Sequence, residues 1–125
     1  NKKNGALTII ERLSMLPEDF KEVSYASDVP FSPDQKFIYA SNRGHESLVI
    51  FKVNPKNGRL TLVGHEPTGG KHPRNFMIDD EGKFALVGNM NTDNVVIFDR
   101  DAKTGKLKPS GKQHTIPGIT CLIQY

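Results

Sequence analysis

The feature of the sequence that most constrains the fold is an internal repeat with a period of 47 residues. The first copy begins with Ser-Pro-Asp-Gln-Lys-Phe at 32–37 and continues through an apolar run at 48–51 to an Asn-Gly turn at 57–58. The second copy begins with Asp-Asp-Glu-Gly-Lys-Phe at 79–84 and repeats the same order of turns and apolar runs. A fixed period of this kind is typical of repeat architectures.

Each copy divides into four short strands separated by turn residues. The predicted strands are 28–31, 36–41, 48–53 and 60–63 in the first copy, and 76–79, 83–88, 95–98 and 107–110 in the second. Because Gly, Pro, Asn and Asp recur about every 8–12 residues, no amphipathic window of helical period survives between them. The one stretch with helical character is 17–23.

Four antiparallel strands in a unit of about 40–50 residues are typical of a propeller blade. We therefore predict an all-β fold, a β-propeller of four-stranded antiparallel blades, of which this chain supplies about two and a half. Residues 1–125 are interpreted as the C-terminal part of a single propeller domain. Its predicted parts are an outer strand at 6–16, blades at 28–63 and 76–110, and a closing inner strand at 119–125.

The predicted end strands are apolar and lack partners within the sequence, which exposed strands of an independent protein normally avoid. A propeller also needs about 4–8 blades to close into a ring. We therefore expect the remaining blades of the same propeller to be the structural partner of this chain.

Charge and apolar content argue against two other classes of partner. The net charge is +3, and Lys and Arg alternate with Asp and Glu without a basic block, so nucleic-acid binding is not expected. No run approaches the roughly 20 apolar residues that span a bilayer, so no membrane partner is expected. The single cysteine, Cys121, cannot form an internal disulfide, which favours a reducing compartment and a cytoplasmic location.

The order of strands predicts which loops share a face of the propeller. In an up-and-down blade, the loop between the second and third strands lies on the same face as the loop that leads into the next blade. The first kind of loop is 42–46 and the second is 71–75. The candidate site residues on this face are therefore Asn42, Arg43, His45, His72, Arg74 and Asn75.

No cofactor or metal is expected at these loops. The four histidines are scattered and Cys121 does not stand beside them at a ligand spacing. The glycines before Lys71 resemble a phosphate-binding loop only superficially, because no strand-to-helix transition follows them.

The motifs of the first copy resemble a known family. They are Ser-Pro-Asp-Gln-Lys-Phe-Ile-Tyr-Ala-Ser-Asn-Arg-Gly-His at 32–45, Pro-Thr-Gly-Gly at 67–70 and Pro-Arg-Asn-Phe at 73–76. The chain resembles the seven-bladed β-propeller lactonases, which include bacterial 6-phosphogluconolactonases and carboxy-cis,cis-muconate lactonizing enzymes. The resemblance covers essentially all 125 residues and corresponds to the last third of a family member.

The resemblance implies an active site made of a histidine, two arginines and a glutamate. Of these only one arginine maps onto this chain, as Arg43, which is therefore the predicted catalytic residue. The positions that the repeat makes equivalent to the other arginine and the glutamate hold Arg74 and Met90. The histidine, the other arginine and the glutamate are thus expected outside this sequence, and the chain alone is expected to be inactive.

The family also implies a substrate, an anionic small-molecule lactone. An arginine holds such an anion in bidentate fashion and stays charged at any working pH. The predicted reaction is hydrolysis of a sugar-acid lactone, with 6-phosphogluconolactone giving 6-phosphogluconate as the leading case. Two alternatives stay open, lactonization of a muconate-type diacid and a non-catalytic propeller that serves as a binding platform.

Overall fold

The computed structural model describes residues 3–125, and in this part of the chain the regular structure is almost entirely β-strand. The strands are β1 (Tyr25–Ala26), β2 (Phe37–Arg43), β3 (Ser47–Val53), β4 (Leu60–Pro67), β5 (Pro73–Ile78), β6 (Phe84–Asn89), β7 (Asn94–Arg100) and β8 (Leu107–Thr115), with one 3₁₀ turn at Met90–Thr92. They form two antiparallel sheets in the orders β1-β2-β3-β4 and β5-β6-β7-β8. The two complete blades predicted from the repeat are confirmed.

The outer strands are longer than the sequence predicted. The predicted ends at residues 63 and 110 are wrong, because β4 continues through Gly64 and β8 continues through Gly111. Pairing shifts register between Ile50 and Phe51 in the first blade, and between Val96 and Phe98 in the second. Such bulges absorb extra residues and let a strand resume beyond them. A glycine in each outer strand therefore marks a bulge rather than an end.

The inner strand of the first blade is interrupted where the sequence predicted a continuous run at 28–31. The regular part is β1 at 25–26, followed by an isolated bridge between Phe31 and Ile38. The chain still follows β2, since the Tyr39 N–H donates to the Pro30 carbonyl at 3.0 Å. Pro30 has no N–H to return, which explains the gap in the ladder.

The strands predicted at 6–16 and 119–125 stay predictions, because their expected partners are the remaining blades of the propeller, whereas the helical character predicted at 17–23 is wrong. Within the described residues, 6–16 and 119–125 pair with no strand. Their main chains are tied to the blades by side chains instead: the Met15 carbonyl accepts from the Asn42 amide, and the Leu122 N–H donates to Asn75 Oδ1. The stretch 17–23 forms a single turn, with the Phe20 N–H donating to the Pro17 carbonyl, because a helix this short does not repay its nucleation cost.

The hydrophobic core lies between the two blades. Buried side chains from both sheets form one cluster, which consists of Phe37, Tyr39, Leu48, Ile50, Phe76, Ala85, Val87, Val96, Phe98 and Leu107. A smaller cluster on the other face of the first blade contains Val49 and Phe51 and packs against Met15. The extended segment before the first blade therefore covers part of its surface.

Side-chain hydrogen bonds join successive inner segments at equivalent positions of the repeat. Asn75 Nδ2 donates to Asp28 Oδ2 at 2.6 Å, and Asn75 Oδ1 accepts from the Leu122 N–H at 2.6 Å. Each of these bonds spans 47 residues, one full repeat. Ser27 Oγ likewise donates to the carbonyl of Arg74. These bonds fix the inner edge of one blade relative to the next.

The hairpin glycines at 58 and 105 allow a matched test of the contact between the blades. Both have positive φ, but a Cβ on Gly105 would lie 2.4 Å from the buried Phe37 ring, whereas one on Gly58 would meet only the tip of Ile10 at 3.1 Å. We expect Gly105→Ala to lower the free energy of unfolding by about 2–5 kcal/mol, the sum of backbone strain and overpacking. Gly58→Ala should cost only about 1–2 kcal/mol. Urea unfolding of both purified variants checks this, and equal losses would contradict it.

Candidate functional site

Arg43 is the last residue of β2 and its guanidinium reaches across the first blade toward the second. Nη2 donates to the Ala26 carbonyl at 2.9 Å, which anchors the side chain to the inner strand of its own blade. Nη1 lies 3.5 Å from Nε2 of His72, which precedes β5. Nε is buried and has no hydrogen-bond partner among residues 3–125. The cation is thus half-buried, anchored at one nitrogen and only weakly engaged at another.

The loop that carries Arg43 is tighter than the sequence predicted. Asn42 and Arg43 belong to β2 and Ser47 to β3, so the turn between the strands comprises only residues 44–46. Gly44 has φ of 113°, and a Cβ there would lie 2.3 Å from the Val23 carbonyl oxygen. The Ser24 hydroxyl donates to the Arg43 carbonyl at 3.1 Å. Gly44 therefore lets the segment before β1 press against the end of β2 and fix the backbone of Arg43.

His72 comes from the loop predicted to share this face. Its backbone adopts φ of 61°, the left-handed region that few residues other than glycine adopt. The structure thus brings together one candidate from each of the two predicted loops, Arg43 and His72. They sit on adjacent blades, so the site spans the boundary between blades.

The two asparagine candidates take part in structural hydrogen bonds. Asn42 is 2% exposed, and its Nδ2 donates to the Met15 carbonyl at 2.8 Å. Asn75 uses both ends of its amide in the bonds to Asp28 and Leu122. Each amide joins separate segments of the chain.

The other two candidates lie apart from the Arg43–His72 pair in their contacts. His45 Nδ1 is 2.6 Å from Ser47 Oγ, and its ring makes edge contacts with Phe20 and His65 at centroid distances of 4.8 and 5.6 Å. Arg74 is exposed, and its side chain has no hydrogen bond or ion pair with residues 3–125. Its guanidinium is therefore open to an anion in solution.

Glu46 also belongs to this site, although it is not among the residues predicted from the sequence. Its Oε1 accepts from the Gly44 N–H at 3.1 Å and its Oε2 from the His72 N–H at 2.6 Å. The carboxylate thus links the loops that carry the two candidate residues. The repeat is the sequence feature that could have identified Glu46, because the equivalent position in the next blade, Asp93, is also acidic. In the structure Asp93 also has a left-handed backbone.

Residues 3–125 contain neither a metal-binding cluster nor a membrane-spanning helix. No three His, Cys, Asp or Glu side chains of this range come together in a group that could hold a metal ion. No helix in the same range has the length and apolar content to cross a membrane. Cys121 is an exposed free thiol.

Known proteins resemble this chain in sequence. The family described as "Lactonase, 7-bladed beta-propeller" matches residues 1–124. A 6-phosphogluconolactonase of Formosa agariphila is 52% identical over 108 residues, which are 84% of this chain and 31% of that protein. The 6-phosphogluconolactonase of Bacillus subtilis is 34% identical over 122 residues, which are 98% of this chain and 35% of that protein. The chain therefore spans about a third of the length of these relatives.

Solved structures agree with the sequence matches. A crystal structure of a protein from Lactobacillus plantarum has a TM-score of 0.91 at 34% identity, covering 97% of this chain and 35% of that one. The periplasmic gluconolactonase PpgL of Pseudomonas aeruginosa has a TM-score of 0.80 at 31% identity, covering 82% of this chain and 29% of that one. With the match over residues 1–124, these likenesses show that the chain belongs to the seven-bladed β-propeller lactonase family.

Proposed function

We propose that the chain works as part of a complete seven-bladed propeller that hydrolyses 6-phosphogluconolactone to 6-phosphogluconate. Two relatives that match most of the chain carry the name 6-phosphogluconolactonase. The remaining blades are the proposed partner, and apolar side chains exposed before the first blade and after the second support this. These side chains are Leu7, Ile9, Ile10, Leu13, Ile123 and Tyr125.

The observation that carries the proposal is the half-buried guanidinium of Arg43 beside His72 at a blade boundary. Hydrolysis of a lactone places negative charge on the carbonyl oxygen in the transition state. A fixed cation of this kind stabilises that charge more than it stabilises the neutral carbonyl of the substrate. We assign Arg43 to the developing oxyanion or to the anionic group of the substrate.

The exposed candidate, Arg74, is suited to bind the rest of an anionic substrate. Arg74 follows His72 by two residues and offers a free guanidinium, which can hold a phosphate oxygen pair. Water adds to the lactone carbonyl, the ring C–O bond breaks, and the products are a hydroxyl and a carboxylate with release of one proton. A histidine or glutamate would take the proton from the attacking water. We place this base in the other blades, as the family resemblance implies.

Comparing three substrates tests the proposal and its alternatives. We expect the complete propeller to hydrolyse 6-phosphogluconolactone with kcat/KM about 10- to 100-fold above that for glucono-1,5-lactone, the contribution of one charge-assisted hydrogen bond. Hydrolysis of both lactones can be followed by the proton that each turnover releases, measured with a pH indicator. Equal kcat/KM values would show that the phosphate does not contribute to substrate recognition. Conversion of a muconate-type diacid, or no turnover above the spontaneous rate, would replace the proposal with lactonization or a binding platform respectively.

A cytoplasmic location is also part of the proposal. It is supported by the exposed free thiol of Cys121, because free thiols persist in reducing compartments. Fractionation of cells of the source organism, probed with an antibody against the chain, would test it. Recovery in a secreted or periplasmic fraction would contradict it.

A further inference from the structure

Glu46 joins three separate segments of the chain around the Arg43–His72 pair. Its carboxylate accepts from the Gly44 N–H next to Arg43 and from the His72 N–H on the following blade. Its carbonyl accepts from both the N–H and the hydroxyl of Thr68, at 3.0 and 3.1 Å. The loop of one blade and the segment leading into the next are therefore bound at a single residue.

Backbone strain is concentrated at this junction. Four residues other than glycine in the described part of the chain have positive φ, and two of them are Glu46 (55°) and His72 (61°). Each such residue costs about 1–3 kcal/mol and persists only where its surroundings hold it in place. Here the two strained residues hold each other, since one supplies the acceptor and the other the donor of the 2.6 Å bond.

The second blade contains an equivalent carboxylate bridge, with no predicted catalytic residue beside it. Asp93, one repeat later, has φ of 52°, and its Oδ1 accepts from the Gly118 N–H at 2.7 Å. Its carbonyl accepts from the Ile116 N–H at 2.8 Å, as the Glu46 carbonyl accepts from Thr68. The position equivalent to Arg43 is Met90. A carboxylate bridge therefore occurs at this position in both blades. In the first blade the residue is glutamate, whose longer side chain reaches the His72 N–H.

We propose that Glu46 is a positioning residue, which holds Arg43 and His72 at the separation that the reaction needs. The inference rests on the proposed lactonase function. The carboxylate is well suited to the task because it accepts two N–H bonds at once, one from each loop. A neutral amide of the same shape offers one oxygen and would set its NH₂ group against one of the two N–H donors.

The predicted consequence is a loss of rate in Glu46→Gln, measured in the complete propeller. One loop is released from the other, and misplacement by about 1 Å costs up to about 100-fold in rate. We expect kcat for 6-phosphogluconolactone to fall about 10- to 100-fold per folded molecule. In the Arg43→Ala background the same change should have little further effect, because Glu46 acts through the pair that includes Arg43.

Asp93→Asn is the matched control. It weakens the equivalent bridge of the next blade, so its melting temperature should fall about as much as that of Glu46→Gln, while kcat should stay at the wild-type value. Should Glu46→Gln give too little folded protein, Glu46→Asp takes its place in the cycle, since its side chain is too short to hold both N–H groups.

Each outcome of the cycle decides between a positioning and a structural role. Loss of kcat that disappears in the Arg43→Ala background supports the proposal. Wild-type kcat in Glu46→Gln, an additive loss in both backgrounds, or an equal loss in Asp93→Asn would each overturn it and leave the lactonase function standing. Absence of turnover in the wild-type protein would instead overturn the lactonase function and the positioning role together.

Discussion

Replacing Arg43 with alanine is expected to lower kcat of the complete propeller about 100- to 1000-fold, which is the usual loss when one donor to an oxyanion is removed. The side chain is only half-buried, with one firm hydrogen bond to Ala26. Its loss should therefore change the free energy of unfolding far less than the rate. Steady-state kinetics with 6-phosphogluconolactone, beside urea unfolding of the same preparations, would measure both.

Two companion variants separate charge from geometry. Arg43→Lys keeps the positive charge but loses the planar fork, so it cannot contact Ala26 and the substrate together. We expect its kcat to lie between those of the wild type and Arg43→Ala. Arg59→Ala removes an exposed arginine whose ion pair with Glu11 lies outside the site, and kcat should not change. Wild-type kcat in Arg43→Ala would exclude Arg43 from catalysis.

The repeat predicts the sheets well because its turns are encoded locally. The Asp, Asn, Pro and Gly residues of a turn lie within a few positions of each other, so a short window contains the whole signal. The ends of the outer strands were harder to predict, because Gly64 and Gly111 occur at bulges whose compensating partners are on the neighbouring strand. A single strand of sequence does not show that the partner strand can absorb an extra residue.

The part of the site that depends on strand order could be predicted from the sequence. The strand order alone placed the loops of Arg43 and His72 on one face, and in the structure the two side chains meet. The roles of the amides were not predictable, since Asn42 bonds a carbonyl 27 positions away and Asn75 bonds partners 47 positions away. Glu46 was missed for the same reason, because its partner His72 lies 26 positions along the chain.

Arg100 has a structural role that no local sequence pattern indicates. It ends β7, its side chain is 1% exposed, and it enters the core between the blades. Nε donates to the Tyr39 hydroxyl and Nη1 to the Gly82 carbonyl, both at 2.8 Å, while Nη2 lies 3.4 Å from Asp34 Oδ1. The guanidinium also lies over the Phe37 ring at 5.5 Å. A single side chain thus connects the two blades.

The ionisable groups around Arg100 reflect this setting. Burial alone would raise the pKa of Asp34, but hydrogen bonds from Ser32 and the Lys36 N–H, with the charge of Arg100, outweigh it and hold that pKa below its ordinary value. Burial raises the pKa of Tyr39 above the usual value, so its hydroxyl stays protonated and donates to the Gly105 carbonyl at 2.7 Å. The cation, the phenol and the carboxylate therefore form one connected network.

Replacing Arg100 with alanine is accordingly expected to lower the free energy of unfolding by about 3–5 kcal/mol. The change leaves a cavity beside Phe37 and Tyr39 and removes the donor to the Gly82 carbonyl, and a buried acceptor without a partner costs about 1–3 kcal/mol by itself. Urea unfolding of the complete propeller is the measurement.

Two controls separate the volume of Arg100 from its hydrogen bonds. Arg100→Met fills much of the space but restores no donor, so it should cost about 1–2 kcal/mol, the part due to unmet polar groups. Arg59→Ala removes an arginine whose side chain is 62% exposed, and exposed ion pairs contribute less than about 1 kcal/mol. If Arg100→Ala cost no more than Arg59→Ala, the network would not hold the two blades together, and the apolar cluster would have to account for their contact alone.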